Sequence, residues 1–239
     1  MTTDSSRDHF GAILSSSIHD TKSSIAIVLL SLERMIIDLR NQQVVQTPAT
    51  TLAQLGTINY QAQRINDHLM QLLALYRIEK EGFKPQIQEI YMSEFLEDCT
   101  TMIAPLAEMR GITLTLEAPA GLYGYFDPHL VSMVAHSMLS GAIIYCQSHL
   151  RLSVHAEQNG MIAIRLEDDG KGFPAAILGK RQPSLEELEG VSFTGGNLGL
   201  AIYFARLVAE LHLNQGLQGG IALANQSSLG GGIFTIYLP

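Results

Sequence analysis

His19 and Asp20, in the run Ser15-Ser-Ser-Ile-His-Asp-Thr-Lys-Ser-Ser24, are side chains whose types and spacing could do chemistry. A carboxylate that accepts a hydrogen bond from one imidazole nitrogen leaves the other nitrogen to act as a nucleophile. Asp20 follows His19 directly and can take that role. Around the pair, Leu14, Ile18, Ile25, Val28, Leu32, Met35 and Leu39 recur at heptad spacing, with only Thr21 interrupting the alternation. Such a stripe lets one face of a helix seal against partner helices. His19 stands one residue past the stripe, so it flanks the seam, where it can meet both solvent and an incoming protein. A lone histidine on a helix is more often an ordinary surface or boundary residue. What lies downstream decides between the two.

Two glycine-bearing segments follow much later. Leu166-Glu-Asp-Asp-Gly-Lys-Gly-Phe-Pro174 comes after an alternating, strand-like run. Asp168 at a strand end can accept a hydrogen bond from an exocyclic amine, and Gly170 and Gly172 let a ligand approach the backbone. An Asp-Gly pair is equally at home in a plain turn. Phe193-Thr-Gly-Gly-Asn-Leu-Gly-Leu200 runs straight into a helical pattern that ends near Leu211. Gly196, Asn197 and Gly199 at a helix start would leave N–H groups and a positive dipole end facing an anion such as a phosphate. Glycine also caps ordinary helices. Leu185-Glu-Glu-Leu-Glu-Gly190, between the two segments, is polar enough for a short lid.

The elements that must position these groups can be read from periodicity. One long helix is expected from about Asp8 to Arg40, and a second from Pro48 to about Glu81 with the stripe Leu55, Ile58, Ala62, Ile65, Leu69, Leu72, Tyr76. Joined by a short polar turn they form an antiparallel hairpin. A hairpin cannot enclose a seam that both its helices share, so two copies forming a four-helix bundle, a homodimer, are expected. The alternative is a hairpin packed on its own C-terminal part. Lys80-Glu-Gly-Phe-Lys-Pro85 reads as a boundary. It separates a helical hairpin domain, residues 1–82, from a mixed domain, residues 86–239. In the latter, helices are expected at Met92–Arg110, Pro128–Tyr145 and Gly199–Leu211. Strands are expected at Ile112–Leu116, Gly124–Asp127, Leu150–Ala156, Met161–Leu166, Gly220–Asn225 and Ile233–Leu238. The fold class is α+β: a sheet with helices on one face.

Composition narrows the functions. A 239-residue chain with 46% hydrophobic and 16% charged residues can bury a proper core. A net charge of −8 argues against binding nucleic acid. No apolar run approaches the ~20 residues that cross a bilayer, and the first residues do not resemble a secretory signal. Cys99 and Cys146 have no metal-like spacing, which suits reduced thiols. A soluble, cytoplasmic protein without membrane contact is expected.

Taken in order, these motifs resemble the core of a two-component sensor histidine kinase. His19-Asp-Thr-Lys22 resembles the phosphoacceptor box and Tyr76-Arg-Ile-Glu79 the end of the second bundle helix. Asp168-Asp-Gly-Lys-Gly172 resembles the first glycine box and Gly195 to Leu200 the second. Gly230-Gly-Gly-Ile-Phe-Thr-Ile-Tyr-Leu-Pro239 is similar to the final strand. The resemblance spans residues 8 to 239. It implies a dimeric phosphoacceptor hairpin followed by a Bergerat-type ATP-binding sandwich, with ATP and Mg²⁺ as cofactors and a response-regulator receiver domain as partner. It further implies that His19 carries the phosphoryl group, that Asp20 orients the ring and accepts a proton, and that Asp168 reads adenine. The backbone of Gly196, Asn197 and Gly199 would hold phosphates. Ser23 occupies the position where relatives that are also phosphatases carry Thr or Asn, a partial match.

The largest departure is in the magnesium box. The family pattern Asn-x-x-x-Asn-Ala-x-Lys-Tyr is met here by Ser137-Met-Leu-Ser-Gly-Ala-Ile-Ile-Tyr145. Gly141 supplies no side-chain oxygen for a hard cation, and Ile144 cannot offset phosphate charge. Loss of a metal clamp raises a phosphoryl-transfer barrier by about several kcal/mol. Some relatives with degenerate ATP domains are dimeric histidine phosphotransferases, taking phosphate from one receiver domain and passing it to another, which makes the receiver of an upstream kinase a further candidate partner. Three functions therefore stand side by side: such a relay protein, an autokinase with unusual metal ligation, and a protein-binding module without phosphotransfer.

Overall fold

The computed structural model describes residues 21–37, 48–78, 83–101, 103–178 and 198–239. His19, Asp20, Gly196, Asn197 and the segment Leu185–Gly190 lie outside the described residues. The chain divides into two compact units, Met1–Ala74 and Leu75–Pro239, and the division falls within the second helix.

The first unit contains α1 (residues 21–37) and most of α2 (Pro48–Ile78). Pro48 suits a first helical turn, where its missing N–H leaves no bond unmade. Along α1 the apolar side chains are not confined to one face: Ile25, Leu29, Leu30, Leu32, Ile36 and Ile37 are all exposed on the single chain. On α2 the stripe residues Leu55, Leu69 and Tyr76 are exposed, while the polar Gln61 and Gln71 are buried.

The second unit is a mixed α+β domain. Its main sheet has the order β2-β4-β5-β9-β8, built from β2 (Thr113–Glu117), β4 (His149–Ala156), β5 (Ile162–Asp168), β8 (Gly220–Ala224) and β9 (Ile233–Leu238). β2 runs parallel to β4 and the other pairs are antiparallel, so the sheet is mixed rather than wholly antiparallel. Strand alternation carries one face into the core. Leu152, Leu166 and Phe234 share one row of the register, and Val154, Ile164, Ile236 and Ile221 share the next. All are buried, and each such side chain contributes about 1.5–3 kcal/mol. α3 (Met92–Thr101) packs on β2 and β4, α5 (Pro128–Tyr145) on β5, and α6 (Leu198–Leu211) on β8 and β9.

The expected single helix over Met92–Arg110 is instead α3 followed by α4 (Ala104–Met109). Pro105 sits in the first turn of α4. Inside a continuous helix its ring would clash with the preceding turn and remove a hydrogen bond. β3 (Tyr123–Phe126) is the strand expected near Gly124, but its partner β1 (Gln88–Tyr91) and the short hairpin of β6 (Leu213–Asn214) with β7 (Leu217–Gln218) were not expected from periodicity. β1 has no turn signal like Asp127-Pro128 after it, and two-residue strands are too short to print a period in the sequence.

A buried polar knot fixes α5. Asp127 caps the helix, its Oδ1 accepting from the N–H groups of His129 and Leu130, both at 3.1 Å. Its Oδ2 accepts from the Gln86 N–H at 2.8 Å, so the segment entering the domain is tied to the same carboxylate. The Asp127 N–H donates to His212 Nε2 at 2.9 Å. His212 Nδ1 lies 2.7 Å from the Val208 carbonyl and must be the donor there. The ring is therefore neutral, and burial pushes its pKa down.

Candidate functional site

Asp168 is the last residue of β5 and pairs with Leu150 in the register, so it stands on the sheet face that carries the core. The end of the strand is held by a dense set of bonds. Asp168 Oδ1 accepts from the Gly170 N–H at 2.7 Å and the Gly232 N–H at 3.3 Å. The Asp168 carbonyl accepts from the Gly231 N–H and the Ser227 hydroxyl, both at 3.0 Å. Ser227 Oγ in turn accepts from the N–H groups of Leu229 and Gly231. Burial pushes the Asp168 carboxyl above its ordinary pKa, the two backbone N–H groups oppose this, and the Asp169 charge adds to the rise. Asp169 behaves in the opposite way. Burial would raise its pKa, but the Ser148 hydroxyl and the N–H groups of Ser148, Gln147 and His149 hold it well below the carboxylate range. It ties the start of β4 to the end of β5.

The glycines of this segment have a packing reason. A Cβ at Gly170 would stand 2.5 Å from the Tyr145 carbonyl oxygen. Gly172 has φ +73°, and a Cβ there would stand 2.5 Å from Asn225 Oδ1. Asn225 comes so close because it clamps the next residue: Phe173 N–H donates to Asn225 Oδ1 and Asn225 Nδ2 donates to the Phe173 carbonyl, both at 2.6 Å. At both glycines the close neighbour is protein, whereas the sequence suggested room for a ligand.

Beside this clamp lies a cavity of about 450 Å³, within the ordinary range for a small-molecule site. α5 contributes Met138, Gly141, Ala142, Ile144 and Tyr145. β5 contributes Leu166 and Asp168, the glycine segment Lys171, Gly172 and Phe173, α6 Leu198, and β9 Phe234. Of the residues singled out in the sequence, Gly141, Asp168 and Gly172 thus line one cavity. Gly170 supports Asp168 from behind, and Gly199 is buried in the first turn of α6. Ser23 is exposed on α1 in the other unit. Asn225, Ser227 and Phe173 were not anticipated as site residues. A faint signal exists in Asn225-Gln-Ser227, a polar triplet between a strand and a glycine run.

The donor set does not fit Mg²⁺. Of the cavity side chains, only those of Asp168 and Tyr145 carry oxygen, and Asp168 Oδ1 is engaged by two backbone donors. Gly141 offers none, and a Cβ added there would meet nothing within 4 Å. Among the described residues no group of three or more His, Cys, Asp or Glu could hold a metal ion. Mg²⁺ in a nucleotide site keeps waters and phosphate oxygens and takes one or two protein oxygens, and the α5 side chains of Gly141, Ala142 and Ile144 supply none.

Five-stranded mixed sheet, helical layer and glycine-bearing strand end together give the fold of histidine-kinase catalytic domains. The histidine kinase AdeS of Acinetobacter baumannii superposes with a TM-score of 0.56 at 16% identity, covering 92% of this chain and 96% of that one. The catalytic domain of histidine kinase ThkA superposes at 0.53 and 16% identity, covering 64% of this chain and 97% of that one. Full-length ShkA, in complex with AMPPNP, superposes at 0.58 and 14% identity, covering 95% of this chain and 45% of that one. No family model matches the chain. Its sequence relatives are sensor histidine kinases. AfsQ2 of Streptomyces coelicolor is 25% identical over 186 residues, 75% of this chain and 31% of that protein. RppB of Synechocystis is 23% identical over 229 residues, 92% of this chain and 47% of that protein. The chain thus spans less than half the length of these curated relatives. Among the described residues no helix is long and apolar enough to cross a membrane.

Proposed function

We propose that this chain is a phosphorelay protein of histidine-kinase architecture, carrying phosphate on His19 between receiver domains. A ring nitrogen of His19 attacks the phosphorus of a receiver's aspartyl phosphate, and the bond to the aspartate oxygen breaks as the N–P bond forms. The reverse step delivers the group to an aspartate of a second receiver. Asp20 accepts a hydrogen bond from the other ring nitrogen and stabilises the charged ring. Ser23, four residues after His19 in the sequence and exposed, takes a secondary role in orienting water. In this reading the hairpin domain spans residues 1–82 and a Bergerat-type sandwich residues 86–239. Asp168, Gly170, Gly172, Gly196, Asn197 and Gly199 form a nucleotide-type site that supports little or no ATP-dependent autophosphorylation. Its working place is the cytoplasm.

One observation carries this reading: the position where a metal ligand would stand is Gly141, on a wall continued by Ile144 and Met138. The apolar side chains exposed along both helices of the first unit, beside buried glutamines, support pairing with a second copy. The retained Asp168 and its cavity favour a second reading, an autokinase with unusual metal ligation. The test is phosphotransfer. Mixed with a phosphorylated receiver domain, the protein is expected to take up acid-labile phosphate, and His19→Ala to take up none. Equal uptake by both proteins would remove His19 from the account.

A further inference from the structure

We infer that the cavity takes an adenine nucleoside or nucleotide through its base, without a divalent cation linking ligand to protein. This inference rests on the proposed reading of the cavity as a nucleotide-type site, and not on the relay itself.

The two requirements of an Mg²⁺-nucleotide site can be examined separately. A base needs flat apolar walls and a directional polar partner. The walls are present: Met138, Ile144, Leu166, Phe173 and Phe234 surround the space. So is the partner. Among the described residues Asp168 Oδ2 accepts no hydrogen bond, while Oδ1 is anchored by Gly170 and Gly232. The carboxylate is thus held in place with one acceptor left for an exocyclic amine. Phe173 is held as firmly, through both its N–H and its carbonyl, by Asn225.

A metal-bridged phosphate chain needs converging oxygens and cations. The α5 wall offers Gly141, Ala142 and Ile144 in that place, and Lys171 is the cationic side chain lining the cavity. Among the described residues the α5 wall therefore offers a metal-bridged phosphate chain no anchor. Affinity should not depend on Mg²⁺, for ATP as for adenosine.

Equilibrium titration of the whole chain with adenosine, ADP and ATP, each in Mg²⁺ and in EDTA, tests this. Exchange of Mg²⁺ for EDTA is expected to change each affinity by less than about twofold. A drop of about tenfold or more in ATP affinity on chelation would overturn the inference, as would an absence of adenosine binding. Asp168→Asn keeps an acceptor for Gly170 and Gly232 but turns the second oxygen into a donor. It is expected to reverse the preference from adenosine to inosine by about tenfold, with circular dichroism unchanged. A folded variant that still prefers adenosine would overturn the assignment of Asp168. His19→Ala should leave every titration unchanged, so failure here and failure of the relay are separate results.

Discussion

On the β5 side of the cavity, Asp168 is bonded through its N–H, its carbonyl and one carboxylate oxygen, and Asn225 grips the Phe173 backbone at both ends. On the α5 side, Gly141, Ala142 and Ile144 present carbon and open space. Both walls belong to the same domain and face the same volume. The first is built to hold a directional acceptor still, which base recognition requires. The second lacks the converging oxygens that a hard cation requires. Holding a base and transferring a phosphoryl group are separable demands, and among the described residues the two walls differ in what they offer to each.

Substitutions on the two walls should diverge. The largest loss is expected at the cap that sets the α5 wall. Asp127→Ala removes the acceptor for Gln86, His129 and Leu130 N–H groups. Urea denaturation should show a loss of about 2–4 kcal/mol, a helix cap and a further partly buried donor combined. On the β5 wall, Gly172→Ala forces a side chain into positive φ and against Asn225. It should cost about 1–3 kcal/mol. On the α5 wall the same type of change has the opposite sign. Gly141→Ala meets nothing within 4 Å in the body of a helix and should stabilise by about 0.5–1 kcal/mol. If both glycine variants shift the urea midpoint in the same direction, the contrast between the walls is wrong.

The smallest effect is a pH dependence. Burial lowers the pKa of His212 below its ordinary value of 6.5. The unfolded chain therefore binds a proton that the folded chain refuses. This group's contribution is complete above pH 6.5 and is lost as the pH falls from 6.5 through the lowered folded value. Denaturation midpoints taken across that interval should decline for the wild type, and less steeply for His212→Gln.

How much of this could be read beforehand differs by element. α5 was legible to its ends because Asp127-Pro128 is a local start signal and the extended Cys146 ends it. The long strands were legible through alternation. The break at Pro105 had a local signal that helical periodicity overrode. Asn225 was not legible as a site residue, because its partner Phe173 lies 52 positions away and meets it only through folding. Gly231 and Gly232 reach Asp168 for a similar reason: β9 pairs beside β5, and sheet order is not written in any local pattern. Gly141, by contrast, stood out in the sequence for what its side chain lacks, and it is found on the cavity wall.

The most direct test of the divergence between the two walls is prolonged incubation with γ-labelled ATP and Mg²⁺, using protein that accepts phosphate from a phosphorylated receiver. The account predicts no label on His19 from ATP, while the receiver loads it. Stoichiometric acid-labile label from ATP, absent in His19→Ala, would mean that the α5 wall supports metal-assisted transfer after all.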